Sequence, residues 1–189
     1  MNDHRAWKTL SSRRVIDSPH LRMRDETVQL PNGDVMDHYY VIDSPGWACV
    51  FCVAESGRVV LNRQYKHGIG RQVLELPAGA MEEGETPLEC ATRELREETG
   101  YVADHLEHVR SFVIDPTSNA GMMHLFYCEG ASPTGTRRSD STEEIVNREV
   151  DTNELLELVL RGDIEVMSHV AAIYTILEWK GIIAPRSAP

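Results

Sequence analysis

The stretch from Gly79 to Tyr101 constrains this chain more than any other, because it crowds Glu82, Glu83, Glu85, Glu89, Glu94, Glu97 and Glu98 into one loop and one helical pattern. Local chemistry marks the helix. Thr86 is an N-cap residue, Pro87 suits the first helical position, and Glu89 completes a Thr-x-x-Glu capping box. Gly100 supplies the stop. At about 100° per residue, Leu88, Ala91, Thr92, Leu95 and Thr99 form the stripe that a core would take, with Glu94, Glu97 and Glu98 in an acidic arc beside it.

Glu94 and Glu98 stand four residues apart with Glu97 between them. Like charges so placed destabilise a helix by a few tenths of a kcal/mol per pair. Two readings account for them. A charge run is commonly a solvated face. Alternatively, the carboxylates share a hard divalent cation such as Mg²⁺, which takes oxygen ligands and keeps water and substrate phosphates around it.

A longer pattern carries a resemblance that favours the second reading. Five residues separate Gly79 from Glu85, seven separate Glu85 from Arg93, and Arg93-Glu-Leu-Arg-Glu-Glu-Thr-Gly100 follows. This resembles the Nudix box of the Nudix hydrolase family, in which the final position is usually aliphatic and here is Tyr101. The resemblance implies an α+β fold, a Nudix-type α/β/α sandwich with a mixed sheet. It also implies hydrolysis of a nucleoside diphosphate linked to another group, with Mg²⁺ or Mn²⁺ as cofactor. Glu94 and Glu98 would then be the principal metal ligands, joined by Glu97 and the backbone carbonyl of Ala78, with Glu97 and Glu98 in the catalytic machinery. Gly79 and Gly100 are box glycines, and Glu85 and Arg93 more readily tie loop to helix than take part in the chemistry.

The flanks resemble the ADP-ribose pyrophosphatase group within that family: Arg63-Gln-Tyr-Lys-His, Leu74-Glu-Leu-Pro-Ala-Gly79, and Pro116 beyond the box. That implies a small-molecule nucleotide-sugar substrate, ADP-ribose or a related ADP-sugar. GDP-mannose, another nucleotide sugar or a nucleoside triphosphate are the alternatives, as is a module that senses a nucleotide sugar without cleaving it. One departure bears on the choice: Asp115-Pro-Thr-Ser-Asn119 has Thr117 where the group usually has glycine, and no carboxylate follows before His124. Pro116 and Asn119 are candidate substrate contacts. The general base in this group commonly comes from a late glutamate, which points to Glu143 or Glu144; a solvated pair at a strand entrance is the alternative. Arg63 and Arg71 could grip phosphate or ribose or be surface residues. Tyr39 or Tyr40 could stack on a base or pack in a core.

A formal net charge of −11 argues against nucleic-acid polymers and anionic membranes as partners. No run approaches the roughly 20 apolar residues of a membrane span, and the start carries no apolar signal-peptide core, so a soluble cytoplasmic protein is expected. Cys49, Cys52, Cys90 and Cys128 are too scattered for a disulfide scaffold and read as buried thiols.

Along the chain, residues 1–45 read as a small antiparallel β unit, a dimerisation element by family resemblance, with a hairpin turn at Pro31-Asn-Gly-Asp34. Residues 46–183 form the main domain and 184–189 a frayed tail. Strands are expected at 48–54, 59–65, 73–76, 109–114, 122–128 and 145–150, with a polar loop at 130–142. Two helices close the chain, one capped by Asp151 and one by Ser168, the latter spanning His169 to Lys180 before Gly181. His124 reads as a packed histidine.

Overall fold

A computed structural model describes residues 5–134 and 144–183. Glu143, most of the 130–142 loop and the 184–189 tail lie outside the described residues. The chain divides into two compact units, residues 1–46 with 113–122, and residues 47–112 with 123–189. The first unit thus takes in the Asp115–Asn119 segment as well as the N-terminal strands.

In the first unit, β1 (Lys8–Asp17), β2 (Arg22–Gln29) and β3 (Val35–Ile42) form an antiparallel sheet in that order. The expected turn is present: Leu30 N–H donates to the Asp34 carbonyl and Gly33 N–H to the Leu30 carbonyl. Asp25 is buried, and its burial opposes ionisation. Arg13 at 2.9 Å and His38 at 3.0 Å outweigh that and hold its carboxyl below the usual range. The 113–122 segment joins this sheet through a bridge between Ile42 and Asn119.

The second unit is built on a mixed sheet. β4 (Trp47–Ala54) is apolar at almost every position, which suits a strand covered on both faces. β5 (Val59–Lys66), β6 (Arg71–Glu75) and a three-residue β7 (Ala78–Ala80) follow. After the helical segment come β8 (Tyr101–Val102), β9 (Glu107–Val113), β10 (Met122–Pro133) and β11 (Val146–Val150). The order is β11-β5-β4-β10-β8, with β6 on β5, β7 on β4 and β9 on β10; β4 and β10 run parallel, so the sheet is mixed.

Helices cover both faces. α1 (Pro87–Glu94) continues into a π-helical turn at Leu95–Thr99. Cys90, Ala91 and Leu95 pack on Ala48, Val50, Cys52, Val60, Phe126 and Cys128. α2 (Thr152–Leu160) and α3 (Met167–Trp179) follow β11. On α3, His169, Ile173, Ile176 and Leu177 are buried. Trp47 lies against His169 and Tyr127 against Trp179, with ring centroids 5.6 and 5.5 Å apart. The α/β/α layering expected from the resemblance is therefore present. All four cysteines are free and buried.

Three local expectations are corrected. Leu88 and Thr92 are exposed and Cys90 is buried, so the core stripe on α1 is rotated from the one an ideal wheel draws. The sheet surface, and not the wheel alone, decides which flank of a short helix it covers. α3 starts at Met167 with Val166 in the N-cap position and no side-chain cap, so Ser168 lies inside the first turn. β10 also runs on to Pro133, into part of the stretch expected as loop.

Candidate active site

The chain enters the site through Leu76, Pro77 and β7, whose Ala78 and Gly79 pair with Cys49 and Ala48. It leaves through α1. The capping box forms as expected: Thr86 accepts from Glu89 N–H, and the Glu89 carboxylate accepts from Thr86 N–H at 2.8 Å. At the other end Gly100 adopts φ +75° and its N–H closes on the Arg96 carbonyl, a left-handed exit that favours glycine. The π-helical turn between these ends is a feature frequent at functional sites.

Arg93 organises the acidic side of the segment. Its guanidinium donates to both oxygens of Glu85 at 2.8 and 2.9 Å, to Glu94 at 2.6 Å, to Glu97 at 3.3 Å and to the Ala80 carbonyl at 3.0 Å. The hydrogen bond from Arg93 holds the Glu85 carboxyl below its usual range and, reciprocally, raises that of the arginine. The fork therefore ties the loop before α1 to the helix, as expected for Glu85 and Arg93. Gly79 permits the rest. A β-carbon there would lie 2.0 Å from Glu94 Oε1, so the carboxylate rests directly on the glycine backbone.

Glu98 takes a different direction. It is buried, and its Oε2 accepts from Asn62 Nδ2 and from Ala78 N–H, each at 2.8 Å. Asn147 completes the frame, donating to Asn62 Oδ1 at 2.8 Å and to the Glu98 carbonyl at 3.1 Å. Burial, with Glu94 and Glu75 adding like charge, pushes the Glu98 carboxyl up to about 8 against the pull of the Ala78 N–H and Lys66. The three glutamates thus do not share one exposed arc. Glu94 and Glu97 meet Arg93 at the surface, while Glu98 turns inward between β5 and β7.

Below Glu98, Lys66 pairs with the buried Glu75 at 2.7 Å, and His169 Nε2 lies 3.6 Å from the same carboxylate. His169 Nδ1 accepts from Leu76 N–H at 3.2 Å, which anchors α3 to the strand leading into the site. Burial pushes its imidazole down to about 3, so it is neutral across the physiological range.

Among the described residues, no three His, Cys, Asp or Glu side chains are already gathered into a cation-ligating set. The donor chemistry nevertheless fits a hard divalent ion: Glu94, Glu97 and Glu98 offer carboxylate oxygens on one helical segment, with the Glu94 carboxylate lying against the loop backbone at Gly79.

The other candidates fall elsewhere. Arg63 and Arg71 line a cavity with Arg148 and Arg161. Because Arg63 follows Asn62 along β5, it faces the side of the sheet opposite to Asn62 and Glu98. Tyr39, Pro116 and Asn119 belong to the first unit. There the Tyr39 hydroxyl donates to the Thr117 carbonyl at 2.5 Å, and Asn119 Oδ1 accepts from Gly121 N–H at 2.8 Å. Glu144 is exposed just before β11. Tyr101 packs against the core, and its hydroxyl bonds Glu149. His124 is partly buried and bonds the Ser111 hydroxyl at 2.8 Å, as expected of a packed histidine.

Asn62 and Asn147 escape a reading of motifs, and Lys66 is read only as part of the Arg63-Gln-Tyr-Lys-His flank. The signal for Asn62 was present: an amide inside the apolar run Val59-Val-Leu-Asn must find partners if the strand is buried. What those partners are, only the fold tells.

A NUDIX domain model matches residues 44–170, and a model described as the nucleoside diphosphate sugar hydrolase N-terminal domain matches residues 7–42. A protein named ADP-ribose pyrophosphatase from Bacillus subtilis is 31% identical over 80% of this chain and 82% of its own length. A second, named methanol dehydrogenase activator, from Bacillus methanolicus, is 29% identical over 81% of this chain and 78% of its own. Among solved structures, one titled as that of an ADP compounds hydrolase superposes with a TM-score of 0.80 at 20% identity, over 93% of this chain and 95% of the other, and supports the fold. With the box geometry, the layered sheet and both domain models in agreement, the chain belongs to the Nudix hydrolase family.

Proposed function

We propose that this chain hydrolyses the pyrophosphate bond of a nucleoside diphosphate sugar, with ADP-ribose cleaved to AMP and a sugar phosphate as the leading case. The observation that carries the reading is Glu98, buried and held by Asn62 and Ala78 N–H within the field of a Glu94 that rests on Gly79. Glu94, Glu97, Glu98 and the Ala78 carbonyl would hold Mg²⁺, with Mn²⁺ as a substitute. When bound, such a cation offsets diphosphate charge and lowers the pKa of attached water. Around it the chain's own residues do the positioning: Asn62 and Asn147 fix the Glu98 carboxylate and backbone, and Arg93 keeps Glu85 and Glu94 registered on one another. Glu143 or Glu144 is proposed as the base. We also place the working form as a homodimer in the cytoplasm.

The test is AMP release from ADP-ribose with and without Mg²⁺, beside a Glu98→Gln variant. Metal-dependent release that the variant lowers by two or more orders of magnitude is expected; an unchanged rate in Glu98→Gln overturns the assignment.

A second reading keeps the chemistry and changes the sugar or terminal group. It is favoured by Asp115, which accepts from Thr117 N–H at 2.9 Å and bonds the Ser118 hydroxyl, closing the turn upon itself where glycine is usual. One relative, 29% identical over 82% of this chain and 75% of its own length, is named a hydrolase of a CMP-linked phosphonate. A panel of nucleotide sugars, scored by the monophosphate that appears, separates the two.

A further inference from the structure

Asn62 and Asn147 pair across β5 and β11 on the Glu98 side of the sheet, and their immediate neighbours Arg63 and Arg148 therefore project to the opposite side. There they meet Arg71 and Arg161 around a cavity of about 360 Å³ that also contains Asp163 and Glu165. Four guanidiniums against two carboxylates is a local excess of positive charge on a chain whose net charge is −11.

Among the described residues, three of the four guanidiniums have acidic partners, all in solvent-accessible pairs, and Arg63 is left over. Arg71 pairs with Glu165 at 2.6 Å and Arg161 with Asp163 at 3.1 Å, all four side chains being partly or largely solvent-accessible. Arg148 is turned to Glu154, which does not line the cavity. Among the described residues, no carboxylate pairs with Arg63. Exposed ion pairs of this kind contribute little to stability and are readily exchanged for a better anion, and guanidiniums bind phosphate oxygens in bidentate fashion.

We propose that this cavity is a second binding site, distinct from the carboxylate site across the sheet, for a small phosphorylated anion. Among the described residues no aromatic side chain lines it, so a nucleobase would find no aromatic stacking partner there. The ligand class is accordingly inorganic phosphate or a sugar phosphate and not an intact nucleotide. A sugar phosphate is what the proposed hydrolysis would release, but the site itself does not depend on that reading.

The experiment is calorimetric titration of the whole protein with inorganic phosphate, ribose 5-phosphate and AMP, in EDTA so that cation-dependent binding at the carboxylates is silent. Saturable binding of phosphate and ribose 5-phosphate is expected, weakened about tenfold by Arg63→Ala and further by Arg63→Ala with Arg148→Ala, and retained in Glu94→Gln. Among the described residues Arg63 has no ion-pair partner to lose, so its single variant keeps the test valid if the double variant is unstable; Arg63→Lys should recover part of the affinity. No saturable binding, equal binding in Arg63→Ala, loss of binding in Glu94→Gln, or AMP binding as tightly as ribose 5-phosphate overturns the proposal.

Discussion

At the scale of single residues, the site depends on what two positions lack or offer. Gly79 offers no β-carbon, and adding one would place it 2.0 Å from Glu94 Oε1. Gly79→Ala should therefore displace Glu94 while leaving the core intact. We expect a large fall in kcat, with circular dichroism and melting temperature close to wild type. Asn62 offers an amide to Glu98 that Asn147 orients. With a bound cation holding Glu98 ionised, a hydrogen bond to it is worth about 1.5–3 kcal/mol, so Asn62→Ala should lower kcat/KM by roughly 10- to 100-fold, read from initial rates at saturating metal. A conservative Asn62→Gln that restored full activity would show that the amide's placement is less strict than the 2.8 Å contacts suggest. Gly79 was legible from motif spacing alone. Asn62 was not, because its meaning comes from Glu98, 36 residues away in sequence.

At the scale of elements, α3 is tied to the strand leading into the site by one neutral imidazole. His169 accepts from Leu76 N–H, and burial holds its folded-state pKa at about 3 against an ordinary value of 6.5. Well above pH 6.5 both folded and unfolded chains carry it neutral, so it makes no pH-dependent contribution there. As the pH falls from 6.5 towards 3 the unfolded chain gains a proton that the fold refuses, and stability drops by up to about 1.4 kcal/mol per pH unit. The melting temperature should therefore decline across this window. His169→Phe should flatten that decline while melting lower than wild type at neutral pH, since Leu76 N–H loses its acceptor. The ends of α1 were readable from Thr86, Glu89 and Gly100 because capping is a local interaction. The start of α3 was misread at Ser168 because a helix entering a core can begin without a side-chain cap, its first turn held by packing.

At the scale of the whole molecule, the sheet of the first unit leaves Trp7, Leu10, Val15, Ile16, Leu21, Val35, Met36 and Tyr40 exposed, and β1 is exposed along its entire length. So many large apolar side chains on and beside β1 and β3 fit an interaction surface, in keeping with the proposed homodimer. Sedimentation should give about twice the 21.3 kDa chain mass. Charged replacements at Leu10 and Ile16 should shift it towards the monomer without lowering helix content. A monomeric wild type at micromolar concentration would remove the dimer. By itself the sequence determined the family, the layered α+β fold and the helix that carries the carboxylates, because box spacing, caps and period-two strands are written in residues close together along the chain. Only the tertiary structure decided that Glu98 turns inward to Asn62 and Ala78 while Glu94 and Glu97 stay with Arg93. It alone set Arg63 on the face of the sheet opposite to Asn62 and Glu98. Such pairings depend on strand register and on which side of a sheet each residue meets, and register is set by the packing of distant segments.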